Sequence, residues 1–211
     1  MKKSIGSKGL SLIECINPRL TKYRVRFALA ENVDKEFGGG GVEFYELEYQ
    51  YKPQLETIVT DIIAEIHDEP IDLTEIATMA ELLGEEPTEP MRKALLHNIE
   101  IYDTSPSANG FLLNGSVEWI DIELRMKLCS RTLPEEKKAG KTSTVLWLGN
   151  KPYELPIETI EQIMHEIEIY AKACLDVTNS HKAQVLALSD VSALVAYDYT
   201  AGYPEKLSFN I

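Results

Sequence analysis

Apolar and polar residues alternate with period two over residues 11–16 and 22–29, and again over 42–51 beyond a run of glycines. Period two is the signature of a strand with one buried face, so the chain opens with three predicted strands. In the third, Val42 and Phe44 point one way while Tyr45, Leu47, Tyr49 and Tyr51 point the other, and this slip of phase predicts a β-bulge near Phe44 and Tyr45. From Pro53 the period changes. Leu55, Ile58, Val59, Ile62, Ile63 and Ile66 recur at helical spacing with Glu56, Asp61, Glu65 and Asp68 between them, which predicts an amphipathic helix lying on a sheet. Pro70 ends that helix, and Asp72 is placed to cap a second one reaching about Leu83. GEEPTEP over 84–90 breaks the pattern, and 91–102 resumes it with Leu95, Ile99 and Tyr102 on one stripe.

The segment TSPSANG, 104–110, is rich in breakers and reads as the boundary between two domains. It divides the chain into an N-terminal α+β domain, 1–104, carrying an acidic helical stretch over 70–102, and a C-terminal domain, 105–211. The second half repeats a simple grammar. Residues 111–113 and 117–119 flank Asn114-Gly115, a pair that tolerates the positive backbone angles of a tight hairpin, and Asp121 then caps a helix toward Lys138. After Gly140, residues 144–148 and 151–155 flank Gly149-Asn150, and Pro156 opens another helix. Two successive strand–strand–helix units follow, within an α+β fold.

The helix from Ile157 carries Ile160, Ile163, Ile167, Tyr170, Cys174 and Val177 at alternating spacings of three and four, a heptad seam whose extension passes near His181 and Leu188. Such a seam packs on the chain's own sheets or on a partner. Poor helix formers over 176–180 predict a break or kink there, and Ser189 is placed to cap a final short helix to Tyr197. Beyond Gly202 and Pro204 the chain is expected to leave as an extended tail. Tyr197, Tyr199 and Tyr203 crowd this end, with Phe209 following. Aromatic rings bury large areas and keep a polar tip, so they either clip the tail onto its own domain or form a contact surface for a partner.

Composition narrows the function. With 34 acidic against 21 basic residues the formal net charge is −13, which repels phosphate backbones and argues against nucleic acid. Lys22, Arg24 and Arg26 fall on one side of a predicted strand, either a local basic face or a solvated one. Cys15, Cys129 and Cys174 are odd in number and far apart, which suggests neither a disulfide framework nor a zinc site, and points to a reducing compartment. The basic opening MKKS is followed by no apolar core of the ~7 to 15 residues that a secretory leader needs. No segment approaches the ~18 apolar residues of a membrane span.

No catalytic or cofactor signature emerges. The glycines at 38–41 lie between predicted strands and not before a helix, so they read as a hairpin loop rather than a phosphate cradle. Gly140-Lys141-Thr142 resembles the end of a phosphate-binding loop, but Glu135 occupies the place of that motif's first glycine. His67, His97, His165 and His181 lack metal-ligand spacing; His165 with Glu166 and Glu168 is the nearest cluster and reads as a solvated helix face. No serine sits in a Gly-x-Ser-x-Gly turn. Asn114-Gly115-Ser116 matches a glycosylation sequon that the hairpin turn already explains. No catalytic, cofactor-binding or metal-binding residue is therefore assigned. The candidate partner-contact residues are Tyr197, Tyr199, Tyr203, Ile160, Ile167 and Tyr170.

Three stretches carry a resemblance: NGFLLNGSVEWID, the helix ending EKKAGKTSTVLWL, and CLDVTNSHKAQVLALSDVSALVAYDYTAGYPEKLSF. Together, over about 109–211, they resemble an uncharacterised domain family of tailed bacteriophages and prophages, notably of gut Bacteroidetes, encoded among tail and tail-fibre genes. The resemblance implies a virion or virion-assembly component, made in the bacterial cytoplasm and located in the tail. Its expected partners are other tail or fibre proteins and further copies of itself. It brings no activity, cofactor or catalytic residue. The resulting expectation is a non-enzymatic tail protein, either a structural adaptor or a component near the fibres. A tail-fibre assembly chaperone and a small hydrolase built on buried carboxylates are the alternatives.

Overall fold

A computed structural model describes residues 3–7, 9–32 and 41–211. The fold is α+β and divides into two compact units, Met1–Ile101 with Lys182–Asp198, and Tyr102–His181 with Tyr199–Ile211. Of the expected glycine loop, 38–40 lies outside the described residues, and Gly41 begins a strand.

In the first unit, β1 (Ser4–Ser7), β2 (Ile13–Asn17), β3 (Lys22–Asn32) and β4 (Gly41–Tyr49) form an antiparallel sheet in the order β1-β4-β3-β2. The edge strand β1 was invisible to pattern because SIGS has one large apolar residue and no alternation. The bulge exists, but on the neighbouring strand. Phe27 faces Tyr45 and Ala30 faces Glu43, which leaves Ala28 and Leu29 against Phe44 alone. Ala28 adopts the left-handed conformation there, with φ of 52°. The slip of phase in β4 has a different cause: both faces of the strand are covered. Tyr45 stacks on Phe27 at 5.5 Å, while Phe44 lies under the Arg26 guanidinium, also at 5.5 Å.

Three helices follow: α1 (Leu55–Glu65), α2 (Leu73–Leu83) and α3 (Thr88–Asp103). The stripe of α1 is buried at Leu55, Ile58, Val59 and Ile62, as its period requires. Its first free N–H, that of Leu55, is capped from a distance by Glu85 at 2.8 Å. Asp72 caps α2 by accepting from the Thr74 N–H, and Gly84 ends it at a φ of 72°, a left-handed angle that costs glycine nothing. The third helix starts three residues earlier than its apolar stripe suggested, because Pro90 sits in a first turn, where no N–H is needed. Asn98 is buried on α3 and spans the α1–α2 connection, accepting from the Ile71 N–H at 2.7 Å and donating to the Ile71 carbonyl at 2.9 Å.

The stretch 104–110 is more structured than a linker: Ser105 caps one turn of helix, α4 (Pro106–Asn109). In the second unit β5 (Phe111–Leu113) and β6 (Ser116–Glu118) form the expected hairpin, with Asn114 and Gly115 at φ of 49° and 80°. The helix from Asp121 is interrupted. It runs as α5 (Ile122–Lys127), a π-helical turn (Leu128–Thr132) and α6 (Leu133–Lys138). Pro134 has no N–H for the helical ladder, and the wider π turn just before it accommodates the lost bond, with the Leu133 N–H reaching back to Leu128. A second hairpin, β7 (Ser143–Leu148) and β8 (Lys151–Pro156), leads into α7 (Ile157–Ala187). Then come α8 (Val191–Val195), which belongs to the first unit and is capped by Asp190 rather than Ser189, and β9 (Ser208–Phe209) of the second.

Of the break or kink expected at 176–180, the break does not occur, since α7 is one helix of 31 residues. Tertiary bonds override the weak local propensity: Thr178 is buried and its hydroxyl donates to Asp103 at 2.7 Å and meets the Tyr203 hydroxyl at 2.8 Å. The tail also does more than exit. Strand β9 pairs parallel to β5, so the last residues complete a three-stranded sheet ordered β6-β5-β9.

Candidate binding surfaces and a cleft

The candidate contact residues fall mostly inside the protein. Ile160 and Ile167 belong to the core of the second unit with Phe111, Leu113, Leu133 and Leu148. Tyr170 is buried and donates its hydroxyl to the Ala108 carbonyl at 2.8 Å, and that burial holds its pKa well above the usual phenol value. The seam of α7 thus serves the chain's own core.

The tail tyrosines are half-buried. Tyr199 and Tyr203 pack edge-on against Tyr102, with ring centroids 5.9 and 5.1 Å apart. Tyr203 also stacks on His181 at 5.8 Å, and His181 in turn meets the Ala201 carbonyl through Nε2 at 2.9 Å. Burial raises the Tyr203 phenol above its ordinary value. Tyr197 donates to Gln184 at 3.3 Å in the first unit. Phe209 meets Phe111 edge-on at 5.9 Å. The contacts of Tyr199, Tyr203 and Phe209 clip the tail, 199–211, to the second unit.

The basic strand face is neutralised rather than open. Lys22 pairs with Glu48, Arg24 with Glu46 and Glu48, and Arg26 with Glu14 and Glu46. The register makes this automatic, because Arg24 lies opposite Glu48, and Arg26 opposite Glu46. Lys22 and Arg24 hold the Glu48 carboxyl below its usual range. Gly140 takes a φ of 78° at the end of α6, and Lys141 pairs with Glu136, so the Gly-Lys-Thr stretch is a helix stop. His67 and His165 are exposed, and His97 bonds the Ile66 carbonyl at 3.2 Å. Among the described residues no group of three or more His, Cys, Asp and Glu is arranged to hold a metal ion. None of their helices is long and apolar enough to cross a membrane.

What pattern did not single out is a cleft of about 350 Å³ in the second unit. Trp119 and Ile122, on the approach to α5 and in its first turn, form one wall, and Leu175 of α7 forms another. All three are exposed, at 42%, 63% and 43%. Arg125, one turn along α5, lies in the cleft at only 9% exposure. Its Nη1 is 3.4 Å from Glu168, its Nε has no hydrogen-bond partner, and Glu168 itself is half-exposed. Asn109 lines the same cleft; its amide donates to the Asp103 carbonyl while its Oδ1 goes unbonded. Lys172, the other cation at the rim, is engaged by Asp176.

No family model, curated protein or solved structure matches this chain.

The cleft escaped the sequence because each of its residues has an ordinary local reading. Trp119 ends a predicted strand, and Ile122 and Arg125 open a helix behind the Asp121 cap. The only trace is spacing. Arg125 stands one turn from Ile122 and three residues before Leu128, in line with apolar neighbours, where a charged residue is out of pattern.

Proposed function

We propose that this protein is a non-enzymatic component of a bacteriophage or prophage tail, a structural adaptor or a part near the tail fibres. The observation that carries the reading is the set of stretches that resemble the phage-tail domain family. NGFLLNGSVEWID supplies β5, β6 and the Asp121 cap, and the closing EKLSF supplies β9. The two stretches lie some ninety residues apart in sequence. They meet in one sheet of the second unit, as parts of one module would. Further copies of this chain and other tail proteins are its proposed partners, and the tail of the virion its proposed location.

Mass spectrometry of purified particles from a phage encoding this chain tests the reading directly. A structural component is expected at a fixed ratio to the other tail proteins. Complete absence from intact particles, with the protein present in the infected cell, would replace it with an assembly helper.

A further inference from the structure

We propose that the cleft of the second unit is a binding site for a small amphipathic carboxylate. The inference is independent of the tail reading, since it rests on the cleft alone.

Its size, about 350 Å³, is that of a small-molecule site, and its composition has the usual form of such sites: apolar walls with a few convergent polar groups. Trp119, Ile122 and Leu175 stay exposed although their side chains are of the kind a fold ordinarily covers. They would wrap an alkyl or aryl body. The head group follows from Arg125. A guanidinium has five donors in a planar fork, and one that is nine-tenths buried ordinarily satisfies them with carboxylates or carbonyls. Arg125 has one ion pair, at 3.4 Å and through a single nitrogen, to a carboxylate that is half in solvent. Its Nε has none. A ligand carboxylate arriving from the cleft would give the fork the two-pronged partner it lacks. Glu168, half in solvent, can swing outward into water while the arriving carboxylate takes its place on the buried guanidinium, so one carboxylate partner is exchanged for another. Glu168 and Asp103 are the negative charges facing the site, and they offset Arg125 and Lys172. A competing Glu168 therefore sets the affinity.

The test uses the full chain carrying Trp147→Phe, which leaves Trp119 as the single tryptophan reporter. Hexanoate is titrated against its emission, with hexanol as the uncharged analogue of equal length. A saturable change is expected with hexanoate, and about tenfold weaker binding of hexanol, the loss that one charge-assisted hydrogen bond carries. In the same background Arg125→Met is expected to weaken hexanoate binding about tenfold, and Glu168→Gln to strengthen it by about threefold through removal of the competitor. Opposite signs at two touching residues are not what a general loss of structure produces. If circular dichroism shows Arg125→Met unfolded, the Glu168→Gln and hexanol measurements decide the matter. No saturable change with hexanoate, an equal response to hexanol, or weaker binding by Glu168→Gln would overturn the proposal.

Discussion

Glu75 shows how one side chain makes a backbone irregularity possible. The bulge in β3 turns the N–H groups of Ala28 and Leu29 away from the ladder, and the Glu75 carboxylate of α2 accepts both, at 2.7 and 2.8 Å. Burial raises its pKa above the ordinary carboxyl value, with the two N–H bonds pulling the other way and Asp72 adding a little to the rise. Glu75→Ala strands both donors and is expected to cost about 2 kcal/mol in urea unfolding at neutral pH. The pH dependence has a definite sign. A carboxyl whose folded pKa is raised contributes most below its unfolded value and loses that contribution as pH rises through the folded one. The stability gap between the wild type and Glu75→Gln should therefore be widest in acid and narrow toward neutrality; a gap that widens with pH would refute the assignment. Sequence could not place this residue, since nothing in it says which helical carboxylate lies over a bulge. Asn98 is the same case, a polar residue on a helical face with apolar neighbours whose two bonds to Ile71 exist only once α3 has packed against the α1–α2 connection.

Elements were legible where local chemistry decides them. Asn114-Gly115 and Gly149-Asn150 fixed both hairpins, Asp72 and Asp121 fixed two helix starts, and the heptad spacing of α7 fixed its buried face. They were illegible where distant partners decide. Helix α7 passes through 176–180 because Asp103 and Tyr203 hold Thr178, and the tail becomes a strand because β5 presents an open edge. That edge makes β9 essential to its unit. The Leu112 N–H donates to Leu207 at 2.7 Å and that of Asn114 to Phe209 at 2.8 Å, while Phe209 covers Phe111. Lys206 adds bonds to the carbonyls of Pro106 and Ser107 at 2.7 and 2.6 Å. Deleting residues 207–211 removes the strand and uncovers the ring of Phe111. The expected cost is about 3 kcal/mol, a fall in Tm of about 10 °C or more for a domain of this size, read from a thermal melt of the full chain. An unchanged Tm would mean that the tail only rests on the sheet.

For the molecule as a whole, charge makes the broadest statement, and the structure shows how it is distributed. A net charge of −13 opposes any phosphate backbone, yet a strand carrying Lys22, Arg24 and Arg26 on one side could in principle offer a local foothold. The register of the sheet removes it. Each of the three cations already holds a carboxylate from β2 or β4, and Arg26 is buried as well. A phosphate would have to displace Glu14, Glu46 or Glu48 against the field of the whole chain, releasing few counterions in return. The protein is therefore expected to leave a labelled DNA duplex unretarded in a gel shift at about 0.15 M salt, where fields from distant charges are screened and only direct contacts remain. Glu14→Gln, Glu46→Gln and Glu48→Gln combined unmask the three cations while removing only three of the 34 acidic charges. That variant should retard the duplex at low salt alone, and lose the band steeply as salt is added. Retardation by the wild type at 0.15 M would show that the ladder of ion pairs on β3 opens to a phosphate by direct contact.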